Sequence, residues 1–263
     1  MATQEKEPIL LESLKDGVLR LVLNRPAARN ALSTALMTEL QQAFERAAAD
    51  KACRVVVVAG AGPAFCAGHD LRELRADNRR AAYECIFAQC SALMQQIVRL
   101  PKPVIAEVHG IATAAGCQLV ATCDLAVAAA DARFATPGVN IGLFCSTPMV
   151  ALTRAVGRKA AMEMLLTGAL VDADAAKVLG LVNRVVPPAE LTAATMALAC
   201  EIAGKSALTV AIGKEAFYTQ AELGLDAAYR YAAEIMTRNM LAQDAAEGID
   251  AFLAKRPPNW RDA

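Results

Sequence analysis

Two short stretches of this 263-residue chain combine small residues with groups able to handle charge or protons: "AFCAGHDL" at 64–71 and "TAAGCQL" at 113–119. Each follows an apolar, strand-like run and leads into a helix-like one. A loop leaving a buried strand presents unpaired backbone N–H groups at the carboxyl edge of a sheet, where sites in α/β proteins gather. In the second stretch the free amides of a first helical turn add a partial positive charge. Two such donors aimed at one oxygen would stabilise an enolate or a tetrahedral oxyanion. The bland alternative is that small residues merely permit tight turns, and for either loop alone that reading is the stronger.

Several side chains near these loops could act. The imidazole of His69 titrates near neutral pH and could serve as a base, but a positional role, with the side chain turned to a bound nucleotide or to solvent, is the stronger reading. Asp70 is placed to cap the helix beginning "LRELR". Glu107 and His109 fall on one face of a strand at period two, which predicts a mutual or an intersubunit hydrogen bond. Cys145 and Ser146 stand in "LFCSTP". A thiol needs a base or a positive neighbour to become a nucleophile, and none is visible, so lining a pocket is the stronger reading. Tyr83, Cys85 and Cys90 either cover the same pocket or pack as helical core.

The elements that must position these groups can be read from pattern. "ILLESLKDGVLRLVLN" is two strands around a turn at Asp16-Gly17. Ser33 reads as the cap of a helix whose Leu36, Leu40 and Phe44 recur at helical spacing to about Asp50. "RVVVVAG" is a continuous β-branched run and predicts a strand buried on both faces. A helix is expected over 78–100, stopped by Pro101 and Pro103, before the buried strand "PVIAEV". Helix "AGCQLVATC" and strand "DLAVAAA" follow. Beyond Thr147 the pattern turns helical, with one strand-like "LVNRVV", a helix over "PAELTAATMALACEIA" and a long helix over 225–246. This predicts a core of strand–strand–helix units over 1–200 and a C-terminal helical segment over 201–263. Apolar residues on several sides of those last helices predict burial, between subunits or on the chain's own core.

Composition narrows the function classes. The chain carries 27 basic and 27 acidic residues, so no field holds nucleic acid or an acidic membrane. No apolar run is long enough to span a bilayer, and "MATQEKEPIL" lacks a signal peptide's apolar region. The eight cysteines and two histidines do not have zinc-site spacing. No metal is expected, and the thiols read as reduced small hydrophobes of a cytoplasmic protein.

"NRPAARNAL", "AFCAGHDL", "KPVIAEVHG", "AAGCQLVATCDLAVA" and "FATPGVNIGL" resemble, in order and spacing, the signatures of the enoyl-CoA hydratase/isomerase (crotonase) superfamily. "RAVGRKAAMEMLLTG" and "DADAAKVLGLVNRVVP" continue the likeness over nearly the whole chain. The resemblance implies an α/β fold of the crotonase (ClpP-like) kind, a spiral of strand–strand–helix units whose C-terminal helices build homotrimers or hexamers. It implies an acyl-CoA thioester as substrate, with coenzyme A as part of that substrate and no tightly bound cofactor. The thioester carbonyl would sit in an oxyanion hole made by the amides of His69 and Ala115. An alanine can serve at 115 because the donor is backbone.

Family hydratases carry two glutamates that position water and move its proton. The matching positions here are Gln118 and Gly138. Glutamine can hold a water but cannot take a proton near neutral pH, and glycine offers nothing. For the nucleotide and pantetheine the resemblance points to the backbone around Ala28 and to the loop at Asp70. Arg25, Arg29 and Arg72 are candidate phosphate partners, or else solvated surface charges. Lys255 matches a lysine that reaches a neighbouring subunit's nucleotide. The expectation is an acyl-CoA-binding enolate site with weak hydratase activity, or a non-catalytic acyl-CoA-binding member of the family.

Overall fold

The computed structural model describes residues 7–263. Strands β1 (Leu10–Lys15) and β2 (Val18–Leu23) form an antiparallel hairpin. Asp16 and Gly17 at its tip both have positive φ, 51° and 78°, as a two-residue primed turn demands. A 3-10 turn at Pro26–Ala28 leads to α1 (Thr34–Ala49), where the Ser33 hydroxyl accepts from the Leu36 amide at 3.2 Å. β3 (Val55–Gly60) then runs parallel to β2. After the 61–70 loop come α2 (Leu71–Ala76) and α3 (Arg80–Arg99), followed by β4 (Val104–Val108) and β5 (Ile111–Thr113). α4 (Ala115–Thr122), β6 (Leu125–Ala129) and β7 (Arg133–Ala135) complete the middle of the chain.

The main sheet has six strands in the order β1-β2-β3-β4-β6-β9, where β9 is Arg184–Val186; all pairings except the hairpin are parallel. Its two faces feed separate cores. Val56 and Val58 pack with the α1, α3 and α4 side, while Val55 and Val57 pack against Leu191, Leu198 and Ala199 of α8 (Leu191–Ala203). That division is why β3 reads as an unbroken β-branched run. A second sheet of three short strands, β5-β7-β8 with β8 at Val171–Asp172, stands beyond the carboxyl ends of β3 and β4.

Between and after these lie α5 (Ser146–Ala155), α6 (Arg158–Thr167), α7 (Ala173–Leu179), α9 (Ala207–Ala221), α10 (Leu225–Met240) and α11 (Gln243–Leu253). The helix expected over 225–246 is therefore two helices, broken at Leu241–Ala242. α9 has no counterpart in the sequence reading. Its apolar residues recur on all sides, so it lacks the stripe that marks an amphipathic helix. α9 is fixed to the core by a buried ion pair: Lys214 Nζ donates to Asp124 Oδ2 at 2.7 Å and to the carbonyls of Ile97 and Lys102. The Tyr218 hydroxyl completes the cluster on Asp124 Oδ1 at 2.8 Å. No single helix among the described residues is long and apolar enough to cross a membrane.

Candidate functional site

The two loops singled out in the sequence meet in space. Loop 61–70 is held on both sides by parallel bridges. Cys66 exchanges bonds with Ile111 and Thr113 of β5, at 3.1 and 2.9 Å. On the other side the Leu32 amide donates to Gly68 O at 2.7 Å and the Asp70 amide to Leu32 O at 3.2 Å. In such a bridge Leu32 bonds the residues flanking His69, so the His69 amide itself faces away from Leu32. Gly68 shows what lies near it. A Cβ built there would stand 3.2 Å from the Ala115 nitrogen and 2.8 Å from the Ala114 Cβ. One turn into α4, a Cβ at Gly116 would come 2.1 Å from Cys66 O. Glycine at both positions lets the second loop and the first turn of α4 press against the first loop.

Ala114, the residue that launches α4, has φ 51° and ψ −119°, a backbone state that alanine seldom adopts. It is held there by its amide bond to Ala135 O at 2.9 Å, and such strain concentrates at functional sites. Neither the His69 nor the Ala115 amide donates to a backbone carbonyl among the described residues. Two free amides at a helix start can polarise one carbonyl oxygen.

Gln118 is buried one turn further along α4; its Oε1 is 4.0 Å from Cys90 Sγ of α3, and its Nε2 has no protein partner among the described residues. Gly138 lies in a 3-10 turn over Pro137–Ile141, outside the left-handed region of φ. A Cβ there would meet Leu143 O at 2.6 Å and Cys145 Sγ at 2.9 Å. Burial raises the pKa of the Cys145 thiol above its ordinary value, with the Gly138 backbone offsetting part of that. Cys66, Cys90 and Cys117 are each pushed up to about 12 by burial. Thiolate chemistry is disfavoured at all four. Ser146 is exposed, with its hydroxyl turned back to Phe144 O at 3.3 Å.

Burial lowers the pKa of His69, with the Leu32 backbone and the Glu73 carboxylate pulling the other way. Its ring stands edge-on to Phe87 of α3, centroids 5.5 Å apart. Phe87 was not read from the sequence, although it lies one helical turn before Cys90. Thr136, whose buried hydroxyl has no partner, was also missed; its place before Pro137-Gly138 was the available signal.

Other expectations need correction. Glu107 and His109 do not bond each other, and His109 lies just past the end of β4. Glu107 lies on the α8 face, taking Arg20 Nη2 at 2.6 Å and the Thr192 hydroxyl at 3.0 Å. His109 Nε2 instead lies 2.8 Å from Gly62 O. Arg25 is turned inward: Nη2 donates to Asp70 Oδ2 at 2.8 Å and Nη1 to Ala31 O. Asp70 also caps α2 through the Arg72 amide at 3.1 Å. Ala28 is half-buried, whereas Arg29, Arg72 and Lys255 are exposed. Tyr83 is half-buried and Cys85 exposed. A cavity of about 740 Å³ lies away from both loops, lined by Leu100, Pro101, Leu208, Ile212, Tyr218 and Leu241.

Parallel strands feeding a helix start, with two loops meeting over it, define a crotonase-type α/β protein. The enoyl-CoA hydratase/isomerase family signature matches residues 13–263, and the chain belongs to that family. It is 48% identical to human mitochondrial enoyl-CoA hydratase domain-containing protein 3, over 93% of this chain and 81% of that protein. The mouse counterpart is 46% identical, over 98% of this chain and 87% of the relative. Among solved structures, an enoyl-CoA hydratase of Mycobacterium smegmatis is 56% identical, covers 97% of this chain and 99% of its own, and superposes with a TM-score of 0.95. Human enoyl-CoA hydratase domain-containing protein 3 superposes at 0.94, with 46% identity over 96% of this chain and all of the other. The family acts on acyl-CoA substrates without a tightly bound cofactor.

Proposed function

We propose that this chain binds an acyl-CoA thioester and holds its carbonyl oxygen between the amides of His69 and Ala115, stabilising an enolate. The observation that carries this reading is the closeness of Gly68 to the Ala115 nitrogen, which brings the two free amides to one helix start. Gln118 and Gly138 stand where family hydratases place glutamates, so water addition to a simple enoyl-CoA is weak. General acid–base help is worth about a hundred- to ten-thousand-fold per group.

For coenzyme A, exposed Arg29 and Arg72 supply charge for phosphates. The Arg25–Asp70 pair ties the segment before Ala28 to the loop that ends at Asp70. Lys255 reaches a neighbouring subunit's nucleotide in a homotrimer or a hexamer of two trimers. The eight free thiols suit a reducing compartment such as the cytoplasm; the vertebrate relatives are named mitochondrial.

A second reading, acyl-CoA carriage without turnover, is favoured by the lack of a carboxylate at both 118 and 138. Calorimetry with butyryl-CoA, free coenzyme A and butyrate tests the shared premise. Heat is expected with the thioester and none with butyrate; a folded protein giving no heat with any acyl-CoA overturns both readings. Mass spectrometry of the same mixtures then separates turnover from retained ligand.

A further inference from the structure

His69 is half-buried, and both nitrogens of its imidazole are enclosed. Nδ1 and Nε2 are both shut off from solvent, and neither makes a hydrogen bond of good geometry among the described residues, the Leu32 backbone being the polar group near enough to act on the ring. Leaving a buried polar group without a well-aligned partner is unfavourable, so a ring kept in this state calls for a ligand atom. It belongs to the residue whose amide faces the start of α4. Phe87 covers it at 5.5 Å, and Cys90, three residues further along α3, reaches Gln118. One face of α3 thus closes over His69 and Gln118 together. Beside the same helix start, Thr136 Oγ1 is likewise enclosed without a partner, and the neighbouring Ala135 carbonyl holds the Ala114 amide.

The charged groups around it are otherwise committed. Asp70 is paired with Arg25, and Glu107 with Arg20 on the opposite face of the sheet. Glu73 of α2, the one charged group acting on the imidazole, binds the Thr34 amide and hydroxyl at 2.8 and 3.2 Å. α3 presents the apolar Phe87, and the 31–32 segment only backbone. Burial keeps the ring neutral near pH 7, with one nitrogen free to accept a proton.

We propose that His69 is the base of this site, taking a proton from C2 of an acyl-CoA whose thioester oxygen lies between the His69 and Ala115 amides. This rests on the acyl-CoA reading above. The C2–H bond breaks, the proton passes to the free ring nitrogen, and the electron pair forms a C1–C2 double bond with the charge on the thioester oxygen. Return of the proton to C2 completes an exchange; with a 3-enoyl chain the enolate extends over C3 and C4, and delivery of the proton to C4 leaves the double bond at C2–C3. Neither step adds water, so the reaction class is proton exchange and double-bond isomerisation.

The test follows loss of the C2 protons of butyryl-CoA by NMR in deuterated buffer, with calorimetry on the same samples. The full chain should exchange them well above the buffer rate. His69→Gln should lower that rate about a hundred-fold or more while butyryl-CoA affinity changes far less. The wild-type rate should fall as pH drops through the imidazole's range, below its ordinary value of 6.5, and the variant should lose that limb. Binding without exchange by the wild type, or undiminished exchange by His69→Gln, overturns the assignment and leaves acyl-CoA binding standing. Should the variant not fold, a wild-type rate that is flat across the imidazole's range overturns it equally. Absence of binding by the wild type removes the acyl-CoA reading itself.

Discussion

Cys145 occupies the space into which a side chain at residue 138 would grow. A Cβ on Gly138 would sit 2.9 Å from the Cys145 sulfur and 2.6 Å from the Leu143 carbonyl oxygen. The Gly138 carbonyl also accepts the Leu143 amide at 2.9 Å, closing the 138–143 turn. The obstacle to a glutamate here is space rather than backbone conformation, because the φ of Gly138 is not positive.

This geometry bears on any attempt to rebuild a hydratase. With Gly138→Glu, the turn must open, so the double variant Gln118→Glu/Gly138→Glu should gain little hydration. The substitution at 138 should itself cost about 1–3 kcal/mol, as overpacking does. Crotonyl-CoA hydration followed by absorbance and urea denaturation check the two parts. Robust hydration by the unaltered chain would instead show that another group moves the proton.

The Lys214–Asp124 pair should govern attachment of α9. Both side chains are largely buried, 7% and 16% exposed, and Asp124 also takes the Val104 amide at 2.7 Å. Lys214→Met leaves that carboxylate without its cation, and breaking a buried pair from one side costs about 3–5 kcal/mol. Urea denaturation should show that loss, and proteolysis should cut first near α9. A change under about 1 kcal/mol would mean that α9 is held by other contacts.

Asp70 makes part of the stability acid-sensitive. Hydrogen bonding from Arg25 holds its carboxyl below the ordinary value of 3.8, with burial opposing. A carboxylate with a depressed folded-state pKa contributes stability above the unfolded value and loses it as pH falls through the folded one. The contribution should therefore be complete at pH 7 and fade below about pH 4. Asp70→Asn should lower the urea midpoint at pH 7 and flatten the acid limb. An unchanged acid limb in the variant would assign that limb to other carboxylates.

Assembly is tested by mass. Leu225, Tyr229, Met236 and Phe252 of α10 and α11 are 73%, 72%, 62% and 82% exposed, apolar side chains that association between copies would cover. Light scattering at micromolar concentration should give a trimer or a hexamer, and deletion from Leu225 onward should yield insoluble protein. A monomeric mass at that concentration counts against the proposal.

The sequence by itself determined what depends on neighbours along the chain. The Asp16-Gly17 turn, the Ser33 and Asp70 caps and the β-branched β3 run are each specified within a few residues, since local backbone sterics and hydrogen bonds decide them. Motif order placed His69 and Ala115 at adjacent loop and helix start. Three-residue strands such as β5 and β7 are too short to show a period, and α9 has no polar face to mark its boundaries. Partner choice was beyond sequence altogether. Glu107 meets Arg20 across 87 residues and Arg25 meets Asp70 across 45, because sheet register, not chain proximity, selects which side chains share a face. Only the tertiary structure put Cys145 against Gly138 and left the nitrogens of the His69 ring enclosed without a well-aligned partner, since both follow from how separate loops pack over one helix.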